Sequence, residues 1–294
     1  MIHSHLKAYA KRVDERNYQV ELRDNIGFGA NKAFQDGDGL EGEWMLAVWS
    51  KVFRNKLAGA DITFGPSDSV LDACCGQGFL GQYLLRLGAA VTFTDLSGAQ
   101  LSSLATRLPP GDTRASFTQA DLLRLPFADR TFDKVVGNSF LHHLPDVPAA
   151  LQEMRRILKP GGSLILLHEP SIRANWWETF PLSLVKDTTY NSGFTDLWQF
   201  DPNDLADVLQ NAGFDSVKIK GSGVLAAVLC NWFLILASKI GITHRLVIGP
   251  ALRLRAMLAQ LELRMMPSSS AGRFPSLLIF ARRPRHDVIG QRGL

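Results

Sequence analysis

From Ser69 onward, short apolar runs alternate with amphipathic stretches, and the alternation holds as far as Glu169. SVLDA predicts a first buried strand, and GFLGQYLLRLG, beyond a glycine-bearing turn, a helix. AAVTFT reads as a second strand and Ser97 to Leu108 as a second helix; ASFTQ and TFDKVVGN read as strands three and four. PDVPAALQEMRRIL has Pro148 near its start and Pro160-Gly161-Gly162 at its end, the punctuation of a helix. GSLILLHE is then an apolar fifth strand. Strands and helices alternating in this way build an α/β fold whose parallel sheet is covered on both faces. After Glu169 the period loosens, and Trp176, Trp177, Phe180, Tyr190, Phe194, Trp198 and Phe200 follow without regular spacing. DPNDLADVLQNAG predicts a capped helix, with Asp201 as N-cap, Pro202 first in the helix and Gly213 closing it. FDSVKIK and PSLLIFARR read as strands six and seven.

Two regions fall outside this alternation. Residues 1–65 hold no clear strand, only helical patterns at Leu6 to Arg16 and Glu41 to Leu57 around a glycine-rich loop. They read as an N-terminal helical cover, leaving 66–294 as the main domain. Between strands six and seven, VLAAVLCNWFLILA (224–237) has Asn231 as its one evidently polar residue. A membrane crossing needs about 20 apolar residues, so this run is too short for one. A second helical stretch follows Pro250, carrying Arg253, Gln260 and Arg264 on one stripe and Arg255 with Glu262 on another.

Composition narrows the class. The 294 residues are 46 % hydrophobic and 20 % charged, which excludes collagen-like, disulfide-scaffold and disordered chains. Cys74, Cys75 and Cys230 are odd in number and two are adjacent, a pattern suited to a reducing compartment. The first 30 residues lack the apolar core of a secretory signal, so the expected location is cytoplasmic. From Lys239 on, 10 basic side chains face only Glu262 and Asp287, a balance of +8, while residues 1–238 carry 22 basic and 26 acidic, a balance of −4. Such a basic flank either solubilises the chain or attracts phosphate, nucleic acid or an anionic membrane surface.

The candidate chemistry centres on VLDACCGQGFLG, residues 70–81. A strand ends near Asp72, Gly76 and Gly78 allow a compact turn, and a helix follows; Asp95 ends the next strand, 17 residues beyond Gly78. Strand, turn, helix, strand and acid in that order cradle a nucleotide at the carboxyl end of a sheet, the acid accepting from ribose hydroxyls. A nicotinamide dinucleotide would need three glycines to admit its pyrophosphate, and Asp72 would repel it.

These segments resemble the class I S-adenosylmethionine-dependent methyltransferases, in particular the small-molecule, methyltransferase type 11-like branch. VLDACCGQG and VTFTDLS look like its first two motifs, TQADLLRLPFADRTFDKVVGNSFLHHLPD like its adenine-binding segment and fourth strand, and LQEMRRILKPGGSLILLHEP like the helix, turn and strand that follow. The resemblance implies a Rossmann-like seven-stranded, mainly parallel sheet with an antiparallel last strand. It makes S-adenosylmethionine the methyl donor and S-adenosylhomocysteine the product. By position it would set Asp72 near the methionine ammonium, with Gly76 and Gly78 making room. Asp95 would bind the ribose beside Leu96. Asp121 would accept from the adenine amino group, with Leu122 contributing backbone, and Asn138 would reach the methionine end. Cys74 stands where the family usually has glycine, so its backbone is expected not to require a strongly positive φ.

An oxygen, nitrogen or activated carbon that must lose a proton needs a general base. His142, His143, His168 and Glu169 follow strands four and five, and His143 and His168 are the preferred candidates. His142 and His143, being adjacent, cannot both face one site in a simple helix or strand. No metal-ligand spacing is present. The aromatics in a lid-like insertion at 171–200, Tyr9 and Tyr18 in the cover, and the helical insertion at 224–266 suit a small apolar or aromatic substrate, as in natural-product biosynthesis. The insertion is expected to serve as pocket wall, homodimer surface or peripheral membrane contact. Alternatives are a lipid or isoprenoid-quinone methyltransferase at the inner face of a membrane, a scaffold without catalysis, or an RNA methyltransferase. Nucleic acid is disfavoured because the chain reads NSFL after strand four.

Overall fold

The computed structural model of the chain describes residues 40–58, 62–171, 200–222, 276–286 and Met257. The predicted helix at Leu6 to Arg16, Tyr9, Tyr18, the aromatics between 172 and 199, the apolar run 224–237 and the basic arginines 253, 255 and 264 lie outside the described residues.

The strands form where the apolar runs predict them: β1 (Ser69–Ala73), β2 (Ala90–Asp95), β3 (Ala115–Gln119), β4 (Phe132–Asn138), β5 (Leu158–Pro170), β6 (Asp215–Ser222) and β7 (Ser276–Arg282). The described helices are α1 (Leu40–Leu57), α2 (Phe79–Arg86), α3 (Gly98–Arg107), α4 (Val147–Ile157) and α5 (Pro202–Asn211). The sheet runs β3-β2-β1-β4-β5-β7-β6. The first five strands pair in parallel, while β7 is antiparallel to both β5 and β6. The chain order reverses between β1 and β4, and in open α/β sheets ligands settle beyond the carboxyl ends of the strands at such a point.

Side chains alternate across each strand and so build two cores. On one face Leu71, Val135, Leu164 and Leu166 meet Leu151 and Met154 of α4 and Leu205 and Leu209 of α5. On the other Val70, Val136, Ile165 and Phe93 meet Leu80 and Leu84 of α2, Leu104 of α3 and Phe53 of α1. Trp49 of α1 stacks on Phe79, the first residue of α2, with ring centroids 6.4 Å apart, so this helix packs directly behind the glycine turn.

Helix ends follow their cap residues. Ser97 accepts from the Gln100 N–H at 3.3 Å, Asp146 from Ala149 at 2.9 Å and Asp201 from Asn203 at 2.9 Å. α4 stops at Ile157, ahead of the Pro-Gly-Gly signal. Buried Arg283 closes this end: its Nη1 donates to the Arg155, Arg156 and Leu158 carbonyls at 3.0, 3.1 and 2.7 Å, satisfying the acceptors that a helix end leaves open. Residues 158–162 then join β5 across a register shift opposite Phe132 and Lys134.

Candidate active site

The turn between β1 and α2 is tied down on three sides. The Cys75 N–H donates to the Thr94 carbonyl of β2 at 2.9 Å, and Gly78 N–H closes the turn on the Cys75 carbonyl at 2.7 Å. Arg107 donates through Nη2 to the Gln77 carbonyl at 3.1 Å. Gly76 (φ 51°) and Gly78 (φ 70°) take left-handed backbone, and a Cβ on Gly78 would meet Leu104. Cys74 corrects the sequence expectation, because its φ is +49°. The turn imposes the same left-handed conformation that glycine adopts freely, and cysteine occupies it under strain of about 1–2 kcal/mol. Cys74→Gly is therefore expected to be neutral or to stabilise by about 1 kcal/mol, whereas an unstrained extended site loses about that much on change to glycine. Urea denaturation measures the difference, and a loss above 1 kcal/mol would contradict strain at Cys74.

Two carboxylates hold this edge together. Asp72, buried, accepts the Gly81 N–H at 2.9 Å through Oδ2 and so aims the start of α2. Burial pushes its pKa up to about 7; the Gly81 N–H pulls it down and the Asp95 charge adds to the rise. Asp95 accepts from Gly76 at 2.9 Å on Oδ2 and from Ser97 at 2.9 Å on Oδ1, stitching the turn to the end of β2. Burial raises its pKa against those N–H bonds. A carboxylate offers about four lone-pair positions, so hydroxyl donors can still be received. Asp121 follows β3 and accepts the Leu123 N–H at 2.9 Å, while the Leu122 side chain enters the core. Leu96, half-buried, receives Gln119 Nε2 on its carbonyl at 2.8 Å. The Cys74 thiol is pushed well up by burial, then by the charges of Asp95, Asp121, Asp72 and Glu169, so it stays protonated among four acids.

At the ends of β4 and β5 a second network forms. Glu169, fully buried, accepts Phe140 N–H at 3.0 Å and Leu141 N–H at 3.1 Å on Oε1, and His142 N–H at 3.2 Å on Oε2. His142 Nδ1 lies 2.8 Å from the same Oε2. Burial favours the neutral acid, but the His142 charge and these N–H bonds outweigh it and hold the Glu169 pKa below the usual range. Leu141–His143 form a single 3-10 turn, and the His142 and His143 ring centroids lie 4.0 Å apart. The expectation for adjacent histidines concerned a simple helix or strand; here they lie in a 3-10 turn whose N–H groups Glu169 gathers. His168 Nδ1 is 2.8 Å from Ser276 Oγ on β7.

Among the described residues, three of the five non-glycine residues with positive φ and three of the four buried side-chain polar atoms without a partner lie on this edge. Cys74, Ser139 and His168 all carry positive φ (49°, 61° and 67°) at the ends of β1, β4 and β5. Among the described residues the buried oxygens without a partner are Thr94 Oγ1, Asn138 Oδ1 and Ser171 Oγ, at or just past the ends of β2, β4 and β5. Strained backbone and orphaned polar atoms persist where a ligand completes the site.

The domain model described as "Methyltransferase domain" matches residues 71–166. An uncharacterized methyltransferase of Synechocystis is 31 % identical over 190 residues, 60 % of this chain and 84 % of that protein. The chain belongs to the class I S-adenosylmethionine-dependent methyltransferases. A demethylmenaquinone methyltransferase of Corynebacterium urealyticum is 37 % identical over 119 residues, so the chain spans 47 % of that relative and the match takes in 40 % of this chain. Among solved structures the cyclase SpnF aligns over 81 % of each chain with a TM-score of 0.53 at 22 % identity, a likeness of fold.

The methyltransferase donor set fits S-adenosylmethionine, a cation rich in hydrogen-bond donors. Carboxylates crowd the cradle, Asn138 Oδ1 is a buried acceptor awaiting a donor, and a Cβ on Gly76 would meet nothing within 4 Å. Sequence spacing places Asp72, Asp95, Asp121 and Asn138 one strand at a time. It does not show that Asp95 bonds Gly76, that Arg107 holds the turn, or that Glu169 seizes His142 from 27 positions away. The signal for the last was indirect: parallel neighbours β4 and β5 must end side by side, with Asn138 opposite Leu167.

Proposed function

We propose that this methyltransferase acts on an oxygen, nitrogen or activated carbon of a small, substantially apolar or aromatic metabolite. The observation that carries the proposal is that His143, just past β4, and His168, near the end of β5, stand on the same carboxyl edge of the sheet as Asp72 of β1, Asp95 of β2 and Asn138 of β4. When bound, the donor supplies a methyl group already made electrophilic by its sulfonium. Asp72 and Asn138 would hold the ammonium end, Asp95 the ribose, with Leu96 beside the adenine and Asp121 with the Leu122 backbone at its amino edge. Gly76 and Gly78, beside Cys74, would leave the room this requires. His143 or His168 would take the acceptor's proton, and the rest of the task is alignment and exclusion of water.

In this reading residues 1–65 form a cover, and 171–200 and 224–266 wall an apolar pocket within the 66–294 domain. An isoprenoid quinone is the favoured subclass, supported by the relative named demethylmenaquinone methyltransferase. Such an acceptor also gives the basic flank and apolar run a use at an anionic membrane surface. Among the described residues no helix is long and apolar enough to cross a membrane. The test is incubation with methyl-labelled donor and a fractionated cell extract. Label is expected in the solvent-extractable small-molecule fraction. Label confined to RNA or protein would overturn the proposal.

A further inference from the structure

We infer that Glu169 is a positioning residue that, through His142, orients His143 and favours its protonated form. The inference rests on the reading of His143 as proton acceptor given above. Glu169 is fully buried, and two N–H groups on one oxygen with a third N–H and an imidazole nitrogen on the other keep it ionised. An ionised carboxylate only accepts, so His142 must carry its proton on Nδ1. The tautomer and the ring plane of His142 are thereby fixed. His143 packs on that ring at 4.0 Å and 46°, and its own N–H is anchored to the Phe140 carbonyl at 2.9 Å. The Glu169 carboxylate, which offsets any positive charge that His142 carries, thus lies one imidazole away from the half-buried base candidate.

The strained backbone of His168 acquires a reason in the same arrangement. In the β5–β7 pairing Leu167 faces Leu278 and Glu169 faces Leu277, so His168 is an extra residue bulged out of the ladder. Were the strand regular here, with His168 opposite Leu277, every later side chain would fall on the opposite face of the sheet and Glu169 would turn away from the 141–143 turn. Strain of roughly 1–3 kcal/mol at one residue is what it takes to aim the carboxylate.

Charge movement during methyl transfer explains the use. The acceptor's X–H bond breaks as its proton passes to His143 and the X–C bond forms. The C–S bond breaks with its electron pair remaining on sulfur. Positive charge therefore leaves the sulfur and appears on the His143 imidazolium, beside the Glu169–His142 pair. Among the titratable groups near this pair is the Cys74 thiol at the end of β1, which feels the charge of Glu169 together with those of Asp95, Asp121 and Asp72; His168 precedes Glu169 on β5, its Nδ1 2.8 Å from Ser276 Oγ.

The test uses the full chain with carbon- and nitrogen-labelled histidine, its seven imidazoles assigned by single substitutions and titrated by NMR. In Glu169→Gln the His143 midpoint is expected to fall by about one pH unit, tenfold in proton affinity, with donor affinity unchanged. A merely structural Glu169 would lower the melting temperature and leave that midpoint where it was, which would overturn the inference. In the unaltered protein the His142 proton must reside on Nδ1; a proton on Nε2 alone overturns the inference even if Glu169→Gln does not fold. Undiminished methyl transfer to the extract by His143→Gln overturns the proton-acceptor reading beneath it. The titration needs no acceptor, so the two failures are told apart.

Discussion

Asp72→Asn is expected to make the donor-free protein more stable at pH 8 and to weaken its hold on the methyl donor by two orders of magnitude or so. Asn retains an oxygen for the Gly81 N–H that Asp72 receives at 2.9 Å, so the start of α2 keeps its aim. What it removes is a buried charge. The Asp72 pKa is raised from 3.8 to about 7, first by burial, so the folded state binds this proton more tightly than the unfolded state. Stability is therefore greatest below the unfolded value, declines as pH rises to about 7, and stays low above it. Three pKa units at about 1.4 kcal/mol each set the ceiling of the gain on removing the carboxylate near 4 kcal/mol.

The same charge is what an ammonium group requires, and leaving one buried partner of such a pair unmatched costs about 2–5 kcal/mol of affinity. Urea denaturation at pH 5 and pH 8, with calorimetry of S-adenosylmethionine, measures both halves. The stability advantage should shrink at the lower pH. Wild-type donor affinity should rise with pH until about 7, whereas the variant's should not respond through this group. Equal donor binding by variant and wild type would remove Asp72 from the ammonium site.

A second large effect is expected from a substitution that helix propensity favours. Gly81 lies inside α2, where alanine is better than glycine by about 1 kcal/mol. Its missing Cβ, however, is the space taken by the Phe93 ring, and a methyl there would also sit 2.7 Å from Asp72 Oδ2. Phe93 is fully buried and stacked on Phe117 at 5.4 Å, so it has little room to retreat. Overpacking of this kind costs about 1–3 kcal/mol, and disturbing the bond from Gly81 to the buried carboxylate adds about 1–3 more. Gly81→Ala should thus lose a net 2–4 kcal/mol or so and lower the melting temperature by roughly 5–10 °C. Calorimetric scanning decides it; an unchanged or raised melting temperature would show that α2 can move off β2 freely.

How much of this could be read from the chain depends on the range of the interaction concerned. Apolar runs fix the central strands β1, β4, β5 and β7 because a strand buried on both faces has nowhere to put polar residues, while the edge strands β3 and β6 are more polar and β3 is largely exposed. Caps are equally legible, since Ser97, Asp146 and Asp201 bond amides two or three residues away. The glycine turn and Asp95 were readable because a nucleotide cradle is built along consecutive elements of one strand–helix–strand unit. Tertiary structure alone decided the rest. The carbonyls left open at the end of α4, an end that Pro160-Gly161-Gly162 announces locally, are met by Arg283, more than a hundred residues downstream. Cys74 enters the left-handed region because the turn around it is bolted to β2 and α3, a demand greater than the residue's own preference. His142 and His143 come together because a bulge at His168 swings a buried carboxylate beneath their turn. Sequence pattern records which face a side chain takes; which charges, strains and ring contacts meet at the sheet's edge depends on distances between strands that only folding sets.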